Sequence, residues 1–461
     1  MIASPTTAGR GLVLTVMCAG MFLVLLDVTI VNVALPAIGR GLRTDVAELQ
    51  WVVDGYAVAI AGLLLAAGTL GDRIGHRRVL IAGFALFGAA SPACALAPAA
   101  GVLIGARVVQ GIGGALLLPS TMAVIVEVFP GRAEQAKALG TWAAVSSVAL
   151  PAGPLVGGLL VTHFGWRPVF WIAVPLTVAA TVAAWMVVPV DARCGNDRID
   201  PVAPAGFVVG LSALVFAIIS AGRHDGLRFF AAGGVAVTAL AAAVARARRS
   251  TNPFLPVDLL RRKEFLAPNL VALVMNLIFN GILFVGMLYL QDTLGRSPAA
   301  AGLAVIPLAL PLVLVAPVSG RLTARYGPRP AIVAGCVLAG CGSAGLTALG
   351  DSGDIARLLA VFAVLGCGAA LVTTSVVAAT VQATPPHRSG LATGVSNTAR
   401  QVGTACGVAI FGAVAGSPSG PGFLDRIHVL GAGAAIAWVL ALTVTVCAVD
   451  RATHPVTEPV G

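Results

Sequence analysis

The sequence predicts an all-α integral membrane protein of fourteen spanning helices, built as two six-helix bundles with two further helices between them. Three observations lead there. Of 461 residues, 58% are hydrophobic and 10% charged, against about 25% charged in an ordinary soluble domain, so the chain cannot cover itself with a polar surface. The apolar residues lie in continuous runs of about 20, the length that crosses a hydrocarbon core as a helix, and do not alternate as barrel strands do. Finally, a pattern of glycines and arginines from the first half recurs in the second.

The first run, 11–35, follows a short tail containing Arg10. It is too long for a signal-peptide core and has no small-x-small cleavage site, so it is expected to stay as a helix. Runs at 51–70, 79–96, 102–126, 138–160 and 168–188 complete an N-terminal bundle over 1–190. Runs at 202–221 and 227–244 form a two-helix insertion with cytoplasmic linkers over 191–264. Those at 265–290, 302–319, 331–349, 355–380, 390–414 and 429–449 form a C-terminal bundle over 265–451, followed by a tail at 452–461. In lipid each helix satisfies its own backbone hydrogen bonds.

Loop arginines and lysines set the orientation. With the N-terminus inside, nineteen fall in cytoplasmic segments and eight in outer ones, while Arg107 and Arg400 lie within apolar runs. Both termini are therefore expected in the cytoplasm of a bacterial cell whose inner membrane holds the protein. The formal charge of +10 is read as this cytoplasmic anchoring and not as a nucleic-acid surface. The eight cysteines show no zinc or disulfide spacing and read as small packing residues.

GTLGDRIGHRR from Gly68 is echoed by GRLTARYGPRP from Gly320, so that Gly68, Leu70, Arg73, Gly75 and Arg77 recur 252 residues later. GIGGALLLPS from Gly111 returns as GCGAALVTTS from Gly366, 255 residues on. Each echo is eight helices away, an even number, so the copies share one orientation as parallel repeats do.

A charge at the bilayer centre costs about 2.5–3.5 kcal/mol on insertion scales, which makes each a functional candidate. Asp27 in the first helix and Arg107 in the fourth lie at similar depths, roughly 12 and 8 Å from the outer side at about 1.5 Å per residue. A direct or water-bridged pair is expected, either purely structural or proton-coupling. Burial favours the neutral acid and a nearby guanidinium the anion, so motion that changes their separation changes proton affinity. Asp54, about three residues into the second run, reads either as a solvated cap at the outer rim or as a participant. Substrate-cavity candidates are Asn32, Gln110, Asn276, Asn280, Asn397, Arg400 and Gln401. For Asn276 and Asn280, spaced i,i+4, the competing role is hydrogen bonding between helices. For Asn397 and Arg400 it is helix packing.

An enzyme is not expected, because the six histidines lie in loops or tails and no acidic, His or Cys cluster converges. No cofactor or metal site is read, and neither Lys137 nor Lys263 sits in a phosphate-binding Gly-Lys-Ser/Thr loop. Transport would then draw on an ion gradient.

Five motifs make the chain resemble the major facilitator superfamily, and within it the fourteen-helix drug:proton antiporter branch, over nearly its whole length. LDVTIVNVALP from Leu26 is similar to that branch's first-helix signature. GTLGDRIGHRR resembles the loop between helices two and three, which implies a cytoplasmic gate of Gly68, Asp72, Arg73, Gly75 and Arg77. LIGARVVQGIGGA from Leu103 resembles the fourth-helix motif, implicating Arg107 in proton transfer with Asp27. Gly140, Gly153, Pro154, Gly157 and Gly158 look like the fifth-helix antiporter motif, with Ala149 where the pattern has glycine and Pro151 as a second bend. QDTLGRSPAAAGLAVIP from Gln291 and the stretch from Asn397 resemble second-half signatures. The tenth helix has no acid, and Ala324 stands at the repeat position of Asp72. The resemblance implies the major-facilitator fold and alternating-access export of small amphipathic drugs or antibiotics in exchange for protons. The alternative is movement of one metabolite or nutrient. The expected partners are a small-molecule substrate, protons and lipid, with no nucleic acid. Nothing in the sequence sets an oligomeric state, and a monomer is the expectation.

Overall fold

The computed structural model describes residues 7–190, 201–249, 257–350, 355–385 and 388–449. Cys194, Arg193, Arg198, Arg451 and the expected tail at 452–461 lie outside them. Among the described residues there is no strand, and thirteen helices are long and apolar enough to cross a membrane. The remaining expected segment is a helix too, Ser389–Ala415, of 27 residues. Its length, about 40 Å at 1.5 Å per residue, suffices to span. Asn397, Arg400 and Gln401 keep it from standing among the thirteen apolar ones.

In chain order the long helices are α1 (Thr7–Leu42), α2 (Val46–Ile74), α3 (His76–Ala95), α4 (Ala100–Val128), α5 (Arg132–Phe164) and α6 (Pro168–Val187). Then come α7 (Val202–Gly222), α8 (Gly226–Arg249) and α9 (Lys263–Thr293), whose last turn is a π-helix, with a short helix Val257–Leu260 before α9. The last five are α10 (Pro298–Tyr326), α11 (Pro328–Ala348), α12 (Ile355–Gln382), α13 (Ser389–Ala415) and α14 (Phe423–Ala448). Local chemistry sets the ends. The Asp45 side chain caps α2 by accepting from the Glu48 N–H (2.9 Å), and the Ser297 hydroxyl caps α10 through the Ala300 N–H (3.2 Å). Proline opens α6, α10 and α11, where no N–H is needed.

The packing repeats at an offset of eight helices. α1 lies on α5 as α9 lies on α13, α3 on α4 as α11 on α12, and α3 on α6 as α11 on α14. The sequence echoes fall on equivalent places. Gly75 (φ +98°) and Gly327 (φ +80°) turn the chain from α2 to α3 and from α10 to α11 in a conformation that side chains resist. The next arginines hook matching carbonyls: Arg77 donates to Trp185 on α6, and Arg329 to Val446 on α14 (2.8 Å). Gly113 touches α3 closely at Gly83, as Gly368 touches α11 at Gly335.

The α1–α6 and α9–α14 sets meet along two seams, α2 with α13 and α5 with α10. α7 packs on both α2 and α13, burying Leu211, Val215 and Ile219 against Ala57, Val58, Ala61, Ala405 and Ala409. α8 packs on α7 and shows apolar side chains elsewhere, Phe230 at 75% and Val237 at 70% exposure. In an aqueous protein such a face would be an error; in lipid it is solvated.

Candidate functional site

The charges expected inside the membrane come together as one network. Asp27 on α1 and Arg107 on α4 form a direct, buried ion pair. Arg107 is 1% exposed, and further partners hold its guanidinium. Its Nε donates to the Val52 carbonyl on α2 (3.1 Å), its Nη1 also donates to Gln110 Oε1 (2.8 Å), and its guanidinium lies 4.3 Å from the centre of the Tyr56 ring. Such a cation over an aromatic face gains about 2 kcal/mol or more when desolvated. Four helices thus converge on one guanidinium, because Gln110 Nε2 in turn donates to Ser91 Oγ on α3 (2.9 Å), and the Tyr56 hydroxyl donates to the Val24 carbonyl on α1 (3.2 Å).

Gln110, a cavity candidate on the sequence, is fully buried here, its Oε1 accepting from Arg107 and its Nε2 donating to Ser91, so in this arrangement it braces Arg107. Its i+3 spacing from Arg107 was the signal in the sequence.

For Asp54 the solvated-cap expectation is corrected. The apolar run suggested a helix start near Trp51, but the cap at Asp45 starts α2 earlier, and Asp54 sits two turns inside. It is 0% exposed, and neither carboxylate oxygen has a hydrogen-bond partner.

Of the other cavity candidates, Asn32 is buried, with its amide donating to the Val28 carbonyl (2.7 Å) and Oδ1 unpaired. Asn280 donates to Thr404 Oγ1 on α13 (3.1 Å), the interhelical bond that competed with a substrate role, and Asn276 donates to the Ala272 carbonyl (3.0 Å). Arg400 donates to the Thr373 carbonyl on α12 (2.9 Å) and leaves its buried Nε unpaired. Asn397 and Gln401 are half-buried on the same helix.

The glycine motif of α5 divides by neighbour. A Cβ on Gly153 would strike Thr29 of α1, and one on Gly157 would lie 2.8 Å from Ile30 Cγ1. Gly158 instead faces α10, where a Cβ would lie 2.7 Å from the Pro298 carbonyl oxygen, and reciprocally Gly302 of α10 presses on the Pro154 carbonyl. Gly140 and its surroundings are open, so packing does not require a glycine there. In the α2–α3 loop, Asp72 is exposed and bonded to His76 (3.1 Å), and Gly68 meets only Pro119, at 3.8 Å. Arg73 is exposed.

At the end where α1 turns into α2 the two helix sets are tied. Arg40 on α1 pairs with Asp292 on α9 (2.7 Å). Gln50 on α2 donates to the Val408 and Ala409 carbonyls of α13 (3.0 and 2.8 Å), and Gln291 on α9 donates to the Val33 carbonyl (2.9 Å). A vestibule of about 580 Å³ lies above Gln50 and is lined by Arg40, Asp45, Arg223 and Asp292. At the opposite end, Leu314 and Val318 of α10 stay exposed. Among the described residues no group of His, Cys, Asp or Glu could hold a metal.

The sequence matches the profile of the Major Facilitator Superfamily over residues 17–408. It is 34% identical to the methylenomycin A resistance protein of Streptomyces coelicolor, covering 89% of this chain and 86% of that one. It is 34% identical to the tetracenomycin C resistance and export protein of Streptomyces glaucescens (90% and 77% covered) and 33% identical to the lincomycin resistance protein of Streptomyces lincolnensis (94% and 92% covered). A crystal structure of the peptide transporter POT superposes with a TM-score of 0.69 at 15% identity, over 94% of each chain, and shows the shared fold.

Proposed function

The chain belongs to the Major Facilitator Superfamily, and we propose that within it this protein is a proton-coupled antiporter that expels small amphipathic antibiotics or drugs from the cell. The observation that carries the coupling is the Asp27–Arg107 pair, a carboxylate and a guanidinium buried together among four helices. A buried ion pair adds little stability compared with apolar packing. A carboxyl that exchanges its arginine for a proton, by contrast, links proton binding to helix movement. The resistance and export relatives support the direction and the class of cargo.

In this reading the arrangement is the inward-open state. The α1–α6 and α9–α14 sets act as two bundles that rock about a midplane cavity, with α7 and α8 as an insertion, fourteen spans in all, and both termini cytoplasmic in the inner membrane. Asn32, Asn276, Asn280, Asn397, Arg400 and Gln401 contribute polar contacts to a largely apolar cavity. When the inner side closes, Asp72 and Arg73 meet the opposing bundle as a gate. Asp72→Ala is accordingly expected to insert normally, since its side chain is 78% exposed here, and to lower export severalfold; unimpaired efflux in everted vesicles would remove the gate role.

The overall reading is tested by producing the chain in a pump-deficient host and measuring resistance across a chemically diverse toxicant panel, with and without a protonophore. Resistance to some members that the protonophore abolishes is expected. Protection that persists with the gradient collapsed would refute proton coupling.

A further inference from the structure

The most costly group in the molecule is not used by the pair just described. Asp54 is completely buried on α2, both of its oxygens lack a partner, and among the described residues no cation contacts it. Burying a carboxylate in this way is strongly unfavourable, and the closed arrangement offers the anion neither a donor nor a counter-charge. A proton is the smallest ligand that settles the charge.

The position of Asp54 tells from where that proton arrives. Gln50 lies one turn toward the outside on the same helix, and its amide is clamped on the Val408 and Ala409 carbonyls, admitted by Gly412, where a Cβ would collide with it. The water-accessible vestibule ends at this clamp. Opening the α2–α13 seam would withdraw Gln50 and wet Asp54 from the outer solution.

We propose that Asp54 is a second proton-binding site, filled from the outside, and that the outer side can close only once it is filled. The ligand is a proton alone, and the site is separate from Asp27. The inference rests on the alternating-access reading, because the seam must open, but not on the cargo.

The ionisable neighbours are few. α13 brings Cys406, α4 brings Arg107, which is directed to Asp27 and the Val52 carbonyl, and α3 brings Cys94, directed to Gln110. α1 brings Asp27, and α7 carries no ionisable side chain. The exposed carboxylates around the vestibule, Asp45 with Arg223 and Asp292 with Arg40, act in the opposite sense. Of these, the Asp292–Arg40 pair joins α9 to α1, so protonating it breaks a tie between the two helix sets and acid would open the outer side, whereas protonating Asp54 lets it shut.

The test needs no cargo. Spin labels at Thr44→Cys, in the α1–α2 turn, and Ser419→Cys, in the α13–α14 turn, both lining the vestibule, in a background with the native cysteines replaced by serine, report seam width in lipid nanodiscs as outer pH varies. The wild-type side chain is expected to give a closed fraction that falls with rising pH, by up to about tenfold in the open-to-closed ratio per pH unit for one linked proton. Asp54→Asn should stay closed at every pH, Asp54→Glu should restore the dependence, and Asp27→Asn should keep it. A seam that opens with the same pH dependence in Asp54→Asn, or that opens only toward acid, overturns this inference alone. A seam that never separates overturns the alternating-access reading together with it.

Discussion

Asp27→Asn is expected to abolish uphill export and leave the chain inserted and folded. The asparagine keeps an oxygen for the Arg107 Nη1 hydrogen, and the guanidinium retains the Val52 carbonyl, Gln110 and the Tyr56 ring. Removing one partner of a buried pair typically costs about 3–5 kcal/mol, and these remaining contacts place the loss toward the lower end. Asparagine cannot carry a proton, however. One proton moving through 100 mV releases about 2.3 kcal/mol, enough for roughly a fifty-fold gradient of a neutral solute at about 1.4 kcal/mol per tenfold. The accumulation ratio in everted vesicles should therefore fall from that range to unity, while equilibrating flux down a gradient persists. The double variant Asp27→Asn with Arg107→Gln, which leaves no unpaired charge, should recover stability but not accumulation. Normal uphill transport by Asp27→Asn would dispose of the coupling role.

Gly302→Leu is expected to hold the outer side open. Its Cβ would drive into the oxygen and the carbon of the Pro154 carbonyl of α5, backbone atoms that cannot rotate away. Both obstacles belong to the opposite bundle, so packing within the α9–α14 set is spared. Overpacking of this kind costs about 1–3 kcal/mol, and at about 1.4 kcal/mol per tenfold the outer-closed population should drop roughly five- to hundredfold relative to the open one. Outer labelling of a cysteine introduced beside the seam should rise, and resistance should fall with it. Gly320→Ala is the control, since nothing lies within 4 Å of the added carbon, and it should behave as wild type. Equal labelling of the two variants would show that the α5–α10 contact does not govern closure.

Much of this was legible in the sequence because the membrane makes it so. Apolar run lengths gave the helices, and the price of a charge in lipid singled out Asp27 and Arg107 before any contact was known. What stayed hidden depends on which helix lies opposite. Asp54 read as a rim residue because Asp45 and Glu48 dilute the apolar run, although Asp45 is the cap that begins the helix. Its burial comes from α13, more than 350 residues away, as the Gln50–Ala409 bond illustrates. Gln110 looked like any polar residue facing a cavity until Ser91 and Arg107 were seen to occupy both ends of its amide. The glycines of α5 were recognisable as a set, but only the packing separates Gly153 and Gly157, which seat α1, from Gly158, which meets α10, and from Gly140, which meets nothing.

The placement of α7 makes the two flanks of the molecule unequal. Lying across α2 and α13 with its Val208 pressed on Gly62 and its Gly222 on Ala413, it shutters one flank against lipid. Among the described residues no helix lies across the α5–α10 flank in this way, and its aliphatic side chains, Val148 and Leu314 among them, are exposed. For an exporter of the proposed kind, a greasy solute dissolved in the inner leaflet would meet the two flanks unequally, with sideways entry expected at the α5–α10 flank and not at the shuttered one.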